Sequence, residues 1–225
     1  MKLTNIQGTY VAFGNFTSLI NNIDKVKANF PDYEVREQRE QLPNGLQAPF
    51  YAFVKQNEAF VIRSSRIDTQ YGYKSEDDVV ENFIASVNKT YEKLSTLITT
   101  KFNRVSYNNV AFVEKTEESL NKACEIFNAN DVFGTKACEL QVRLNNILTI
   151  GSEEINAVFT IQDGHITRRN TNVPAQEDVL FLNNDVNTLA QHVTPRITCE
   201  EGLKMLSDLV MVANERTNKV LEKLN

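Results

Sequence analysis

The segment VAFGNFT at residues 11–17 is the basis of the predicted fold, because it recurs as VAFVEKT at residues 110–116. In both places a short apolar run typical of a strand leads into a Thr that can cap a helix. A second recurrence follows in the same order, with FVKQNE at residues 53–58 matching FTIQDG at residues 159–164. Two ordered matches at equivalent places indicate an internal duplication.

Outward from these segments, the apolar spacing predicts the same order of elements in each half. A strand is followed by a helix, three strands and a longer helix, with the long helices expected over residues 75–102 and 198–224. The sequence therefore predicts an α+β fold of two diverged β-α-β-β-β-α units with antiparallel sheets, each closed by a long amphipathic helix. The units span residues 1–103 and 104–225 and are expected to pack as one compact pseudo-symmetric body.

Several local signals locate the predicted element boundaries. Thr198 and Glu201 have the spacing of a capping box, and Thr116 and Ser75 are expected to cap two further helices. The run from Phe60 to Tyr71 is interpreted as one strand, joined to a strand from Phe50 to Val54 by a tight turn around Gln56-Asn57-Glu58. Asp163-Gly164 is interpreted as a hairpin turn between strands at residues 155–162 and 165–169, since Asp-Gly favours such turns.

Composition limits the classes of function. Of the 225 residues, 41% are hydrophobic and 24% charged, which is ordinary for a globular protein. The formal net charge of −5 does not favour nucleic acid as a partner, because proteins that bind nucleic acid carry a basic surface. No apolar stretch of about 18 residues occurs, and residues 1–5 lack the apolar region of a secretion signal. These features predict a cytoplasmic protein with no membrane association.

The sequence predicts no catalytic residue, cofactor or metal. The phosphate-loop, dinucleotide, zincin and hydrolase-elbow motifs do not occur. Three widely spaced cysteines favour buried free thiols over a zinc site or a disulfide framework: Cys124, Cys138 and Cys199. His165 is expected to be a solvated hairpin residue, and His192 has no neighbouring carboxylate or nucleophile in the sequence to orient it.

Arg63, Arg66 and Asp68 form the most suggestive group of polar residues. Residues two apart on a strand share a face, so Arg66 and Asp68 can pair with each other. The simpler interpretation of this group is a solvated cross-strand pair, and the more specific one is a patch that binds an anion or a partner. The candidate partner-binding or ligand-binding residues of the sequence are Arg63, Arg66, Asp68, Arg143, Arg168 and Arg169.

The run from Phe60 to Asp68, the long helix after it, and Asp185-Val186-Asn187 ahead of a C-terminal helix resemble a sporadically distributed family of uncharacterised bacterial proteins. That family has no established activity or catalytic residues. The resemblance implies only a bacterial or phage-related, cytoplasmic origin.

Three functions stay open from the sequence. The first is a non-enzymatic protein-interaction or binding protein, chaperone-like, antitoxin-like or defence-related, that binds a protein partner or a second copy of itself. The second is a sensor of a small anionic ligand, or an enzyme, with its site at the interface of the two halves, where Arg63, Arg66, Arg143 and Arg169 would bind the anion. Nucleic-acid binding is the third and least favoured.

Overall fold

The computed structural model describes residues 2–42, 44–75, 78–127, 139–168 and 175–225. The strands in these residues are β1 (Thr4–Phe13), β2 (Glu34–Gln41), β3 (Gln47–Lys55), β4 (Glu58–Ile62), β5 (Arg66–Gly72), β6 (Arg104–Glu114), β7 (Gln141–Ile150), β8 (Glu153–Arg168) and β9 (Ala175–Thr188). The helices are α1 (Thr17–Asn21), α2 (Ile23–Asn29), α3 (Val80–Leu94), α4 (Glu117–Ile126) and α5 (Cys199–Leu224).

All nine strands belong to one antiparallel sheet with the order β2-β3-β4-β5-β1-β6-β9-β8-β7. The prediction of two β-α-β-β-β-α units, each with its own sheet closed by a long helix, is therefore wrong. β1 pairs with β5 on one side and with β6 on the other, so hydrogen bonding is continuous across the expected boundary at residues 103 and 104. This pairing satisfies backbone groups that two separate sheets would each leave exposed at an edge.

The first half also differs from the predicted order of elements. The run from Phe60 to Tyr71 is two strands rather than one, because the chain turns at Arg63 and its amide donates to the carbonyl of Arg66 at 2.9 Å. Four strands thus follow the first helical segment, and that segment is divided into α1 and α2. The tight turn predicted after Lys55 is confirmed, with Gln56 in the left-handed region at φ 52°.

The helix predicted from Ser75 begins instead at Val80 and ends at Leu94. The carboxylate of Asp78 explains the later start, because it accepts hydrogen bonds from the Lys74 amide and the Tyr71 hydroxyl. These bonds hold the connection ahead of α3 in a non-helical path. Only α5, with 26 residues, has the expected length.

The Asp163-Gly164 dipeptide lies within β8 and is not the predicted hairpin turn. Asp163 and Gly164 pair with Leu180 and Val179 of β9. A Cβ atom on Gly164 would lie 2.6 Å from Cε2 of Phe181, so any larger residue there would displace the aromatic ring that covers the glycine. The second recurrence of the sequence therefore matches a turn in one half with the middle of a strand in the other.

The helices form one layer on one face of the sheet. α1 contacts β3, α3 contacts β5 and β1, and α5 crosses β6 and β9 while also contacting α3 and α4. The core between the layers contains Tyr10, Phe53 and Phe60, and the last two rings stack with their centroids 4.4 Å apart. Gly202 lets α5 approach closely, because a Cβ atom there would lie 2.8 Å from the Tyr10 hydroxyl oxygen.

The predicted caps of α4 and α5 are confirmed. The Glu201 amide donates to Oγ1 of Thr198 at 3.2 Å, and the Thr198 amide donates to Oε2 of Glu201 at 2.7 Å. The same reciprocal pair joins Thr116 and Ser119 at the start of α4. Both caps satisfy orphan amides of the first helical turn.

Candidate partner-binding surface

The face of the sheet opposite the helices has no helix over it in any of the described ranges. Residues along β1 alternate between the two faces, so that Tyr10 and Ala12 are buried under the helices while Thr9 and Val11 are half-buried on the opposite side. We call this second side the open face. It extends across the whole width of the sheet.

Two rows of side chains cross the middle of the open face in register. In the first row Thr9 lies opposite Asn108, which lies opposite Asp185. In the second row Ser106 lies opposite Asn187, and Asn187 lies opposite Asn156 of β8. The Asn187 side-chain amide donates to Oδ1 of Asp185 at 3.0 Å. The centre of the open face is therefore mostly uncharged and rich in amide and hydroxyl groups.

Four charged side chains form a connected cluster on the open face near strands β2 to β5. Arg63 donates from Nη1 to Oδ2 of Asp68 at 2.6 Å and from Nε to Oε2 of Glu40 at 3.0 Å. Arg66 donates from Nε to Oδ2 of Asp68 at 3.1 Å. The guanidinium of Arg63 also lies over the Phe50 ring, 4.6 Å from its centroid. We call Glu40, Phe50, Arg63, Arg66 and Asp68 the arginine cluster.

Burial and the neighbouring charges shift the pKa of Asp68 in opposite directions, and the side chain of this residue is 10% exposed. Loss of water raises the pKa of this carboxyl above its ordinary value, and the nearby Arg66 and Arg63 guanidiniums offset only part of that effect. The cluster carries two cations and two carboxylates, so its charges balance. It is a group of ion pairs with no formal net charge, and its arginines already have protein partners.

The structure brings together three of the six candidate residues. Arg63, Arg66 and Asp68 are in contact, which confirms the predicted pairing of Arg66 with Asp68. Arg143 is exposed on β7, the strand at the opposite edge of the sheet. Arg168 is the last residue of β8, and Arg169 lies outside the described residues.

Glu40 and Phe50 belong to the cluster but were not identified from the sequence. Charged residues alternate along β2, which places Glu34, Arg36 and Glu40 on one face of that strand. This pattern indicates a charged strand face but does not reveal which distant residue it meets. The pairing of β2 with β3 and of β3 with β4 brings Glu40 within reach of Arg63.

A second concave region lies at the end of the sheet where β1, β6 and β9 meet α4 and the end of α5. It is a solvent-open cleft of about 740 Å³ that includes Thr4, Phe112, Lys122 and Val179. Lys122 donates to the Asn225 carbonyl at 2.9 Å and pairs with Glu118 at 2.9 Å. Since Glu118 also lines the cleft, this lysine is already neutralised beside the space that a ligand would occupy.

His165 and the two described thiols lie on three different elements, β8, α4 and α5. His165 is exposed as expected, but it lies within β8 rather than in a turn, and Nδ1 lies 2.6 Å from Oδ1 of Asp178. Cys124 is buried and free, and Cys199 is free and partly buried. Burial raises the pKa of the Cys199 thiol to about 11, which disfavours the nucleophilic thiolate near neutral pH. Cys138 lies outside the described residues.

A scan of the chain against models of protein families and a search of curated proteins both return no match. The resemblance to uncharacterised bacterial proteins therefore stays a prediction from the sequence. Among the helices of the described ranges, none is both long and apolar enough to cross a membrane. Within the same ranges no three His, Cys, Asp or Glu side chains are grouped as metal ligands.

Proposed function

We propose that this chain is a non-enzymatic protein-interaction protein of a bacterium or phage, acting in the cytoplasm, and that its open face receives a protein partner. Chaperone-like, antitoxin-like and defence-related roles are the forms that this function would take. The observation that carries the proposal is the helix-free side of a nine-stranded sheet, seen in the described residues. Antiparallel sheets commonly bury one face and leave the other to water or to a partner.

The chemistry of the open face supports a protein partner. Asn108, Asn156 and Asn187 each carry an amide that can both donate and accept hydrogen bonds. The apolar side chain of Val158 lies next to Asp185 in the same region of the face. Protein interfaces combine such uncharged polar groups with apolar atoms and have few charges at their centre.

The neutral arginine cluster also supports this proposal over nucleic-acid binding. A surface that binds nucleic acid needs cations that are free to neutralise phosphates and so release the counterions of the nucleic acid. Arg63 and Arg66 are instead paired with Asp68 and Glu40, and the net charge of the chain is −5.

The alternative of a small anionic ligand between the two halves has weaker support. It requires Arg143 near Arg63, but these residues lie towards opposite edges of the sheet. The cleft between β1 and α4 is lined by both acidic and basic side chains, which does not favour an anion.

An affinity-capture experiment with two matched variants tests the proposal. The tagged chain is expressed in its own host, cross-linked and purified, in parallel with Asn108→Arg on the open face and Met211→Arg on α5. Met211 is 51% exposed, so the control adds the same charged side chain to the helix layer. Thermal unfolding establishes that both variants are folded.

The proposal predicts one or more protein partners with the wild type and with Met211→Arg, and at least a tenfold loss of those partners with Asn108→Arg. Equal recovery with both variants would show that the open face is not the binding surface. No partner above the tag-only background, in any sample, would contradict the function itself.

A further inference from the structure

The two edge strands of the sheet differ sharply in charge. β2 carries acidic or basic side chains at five of its eight positions, which protects an edge against pairing with another strand. β7 has ten residues, and Arg143 is its only charged one. β7 also pairs with β8 over its whole length without a bulge. It is a long, regular and nearly uncharged edge.

Apolar side chains are exposed along this edge. Leu144 is 42% exposed, Ile147 56% and Leu148 36%. They make up three of the seven large hydrophobic side chains that are exposed in the described residues. Exposed apolar groups that cluster on one element mark an interaction site more often than scattered ones do.

Some backbone groups of β7 have no partner strand among the described residues, and the pairing with β8 identifies which ones. The Asp163 amide donates to the Leu140 carbonyl at 2.9 Å, at the start of the ladder with β8. Hydrogen-bonded pairs alternate along an antiparallel ladder, so the even-numbered residues of β7 bond to β8. The amides and carbonyls of the odd-numbered residues point outward and can bond to a further strand.

The side chains of β7 identify that further strand. On the helix side of the sheet, β7 presents Val142, Leu144, Asn146, Leu148 and Ile150. The series is symmetric in character, with two apolar side chains on each side of the amide of Asn146. In an antiparallel pair with a two-fold axis at Asn146, Leu144 lies opposite Leu148 of the second copy, and Val142 lies opposite its Ile150.

The alternative axis, at Asn145, is less favourable. It places Leu144 opposite Asn146 of the second copy on the helix side and Arg143 opposite Ile147 on the open-face side, so apolar side chains meet polar ones on both sides of the sheet. With the axis at Asn146, the open-face side of the pair has Arg143 opposite Thr149 and Asn145 opposite Ile147, with no like charges facing each other. The Arg216 guanidinium donates to Oδ1 of Asn146 at 3.1 Å, which leaves the Asn146 amide hydrogens to bond across the axis.

We propose that β7 pairs with β7 of a second copy of this chain, antiparallel and in the register set by Asn146, to form a two-fold symmetric dimer. A two-fold interface requires a self-complementary surface, and the series from Val142 to Ile150 provides one. The axis is perpendicular to the sheet, so both helix layers lie on the same side. The open faces of both copies then form one continuous surface and stay free for a partner.

Site-specific disulfide formation tests the register in the full-length chain. Asn146→Cys places two thiols in a directly opposed, non-hydrogen-bonded pair, with Cα atoms about 4.5 Å apart. Ile147→Cys is the matched control, because its own copies are diagonal neighbours about 7–8 Å apart, beyond the usual reach of a disulfide. The wild type under the same mild oxidation reports the background from the native cysteines.

Asn146→Cys is expected to form a covalent dimer at least tenfold faster than Ile147→Cys, although both positions are exposed. Equal or faster cross-linking of Ile147→Cys would overturn the proposed register.

Sedimentation equilibrium tests the dimer itself. The wild type is expected at twice its chain mass of 25.6 kDa, and Leu148→Lys at the monomer mass, with about tenfold to a hundredfold weaker dimerisation. Leu46→Lys makes the same substitution at a loop residue that is 64% exposed, and it should stay dimeric. A monomeric wild type, or equal dimerisation of all three proteins, would overturn the proposal. Because Leu148 lies away from the open face, this experiment and the capture with Asn108→Arg can fail independently.

Discussion

Substitution of Asp68 by Asn measures how much the arginine cluster stabilises the fold. The carboxylate accepts charge-assisted hydrogen bonds from Arg63 and Arg66 at 2.6 and 3.1 Å, and its side chain is 10% exposed. Hydrogen bonds to charged groups contribute about 1.5–3 kcal/mol each. Asn keeps one acceptor oxygen, and Arg63 keeps Glu40 as a second partner. We therefore expect a loss of about 2 kcal/mol in the free energy of unfolding, close to one such bond.

Urea unfolding followed by circular dichroism measures this loss. With an m-value of about 2 kcal/mol per molar urea, the midpoint should fall by about 1 M while the m-value stays unchanged. The matched control is Glu34→Gln, which removes a pair with Arg36 on the same side of the same sheet. Both of those side chains are more than half exposed, and solvent screening makes the expected change too small to detect.

A double-mutant cycle measures the coupling free energy between Glu40 and Asp68. Glu40 and Asp68 share Arg63, so Glu40→Gln combined with Asp68→Asn leaves a half-buried guanidinium with no carboxylate. The combined loss should exceed the sum of the single losses by at least about 0.5 kcal/mol. If Asp68→Asn costs no more than Glu34→Gln, or if the cycle is additive, the cluster is an ordinary surface group and the reasoning is refuted.

Three further predictions concern local features of the structure. Arg196 lowers the pKa of Glu153 through a 2.7 Å hydrogen bond, so this pair stabilises the fold at pH values above the ordinary Glu pKa of 4.5. In urea titrations, Glu153→Gln should be less stable than the wild type by about 1–3 kcal/mol at neutral pH, and this difference should shrink as the pH falls below 4.5. A difference that stays constant with pH would contradict the prediction. Gly164→Ala should lower the free energy of unfolding by about 1–2 kcal/mol in the same assay, because the new methyl group meets Phe181. Phe181→Leu in the same chain should restore most of this loss. If the glycine were instead needed for a turn, Phe181→Leu would restore none of it. Burial raises the pKa of the Cys199 thiol to about 11, so this thiol should react with iodoacetamide at pH 7.5 at least tenfold more slowly in the folded chain than in urea. Peptide mass spectrometry measures the two rates, and equal rates would show that the thiol is not protected.

Features set by neighbouring residues could be predicted from the sequence. The capping box of Thr198 and Glu201 depends on two side chains three residues apart, and the turn after Lys55 depends on a tight two-residue loop. The pairing of Arg66 with Asp68 follows from the period of a strand. In each case the partners are close in the chain, so their spacing alone determines the contact.

Features set by distant residues could not be predicted in this way. Asp163-Gly164 has the letters of a turn, but Phe181 covers the glycine within a strand, and nothing near Gly164 in the chain indicates that ring. The place of Glu40 in the arginine cluster depends on the pairing of three strands. Periodicity indicates which face of a strand is apolar, but it does not indicate which strands are neighbours. For this reason one sheet could not be distinguished from two.

The position of β1 has a consequence for synthesis of the protein on the ribosome. β1 is synthesised before the other described strands, and one of its edges has its partner available once residues 66–72 of β5 have emerged. Its other edge waits for residues 104–112 of β6, so a nascent chain that has reached only α3 exposes a strand rich in apolar and β-branched residues. Such an edge is a template for a neighbouring nascent chain on the same messenger RNA. Slow translation between residues 73 and 103 should therefore favour aggregation of unfinished chains, and rapid translation should favour the native sheet.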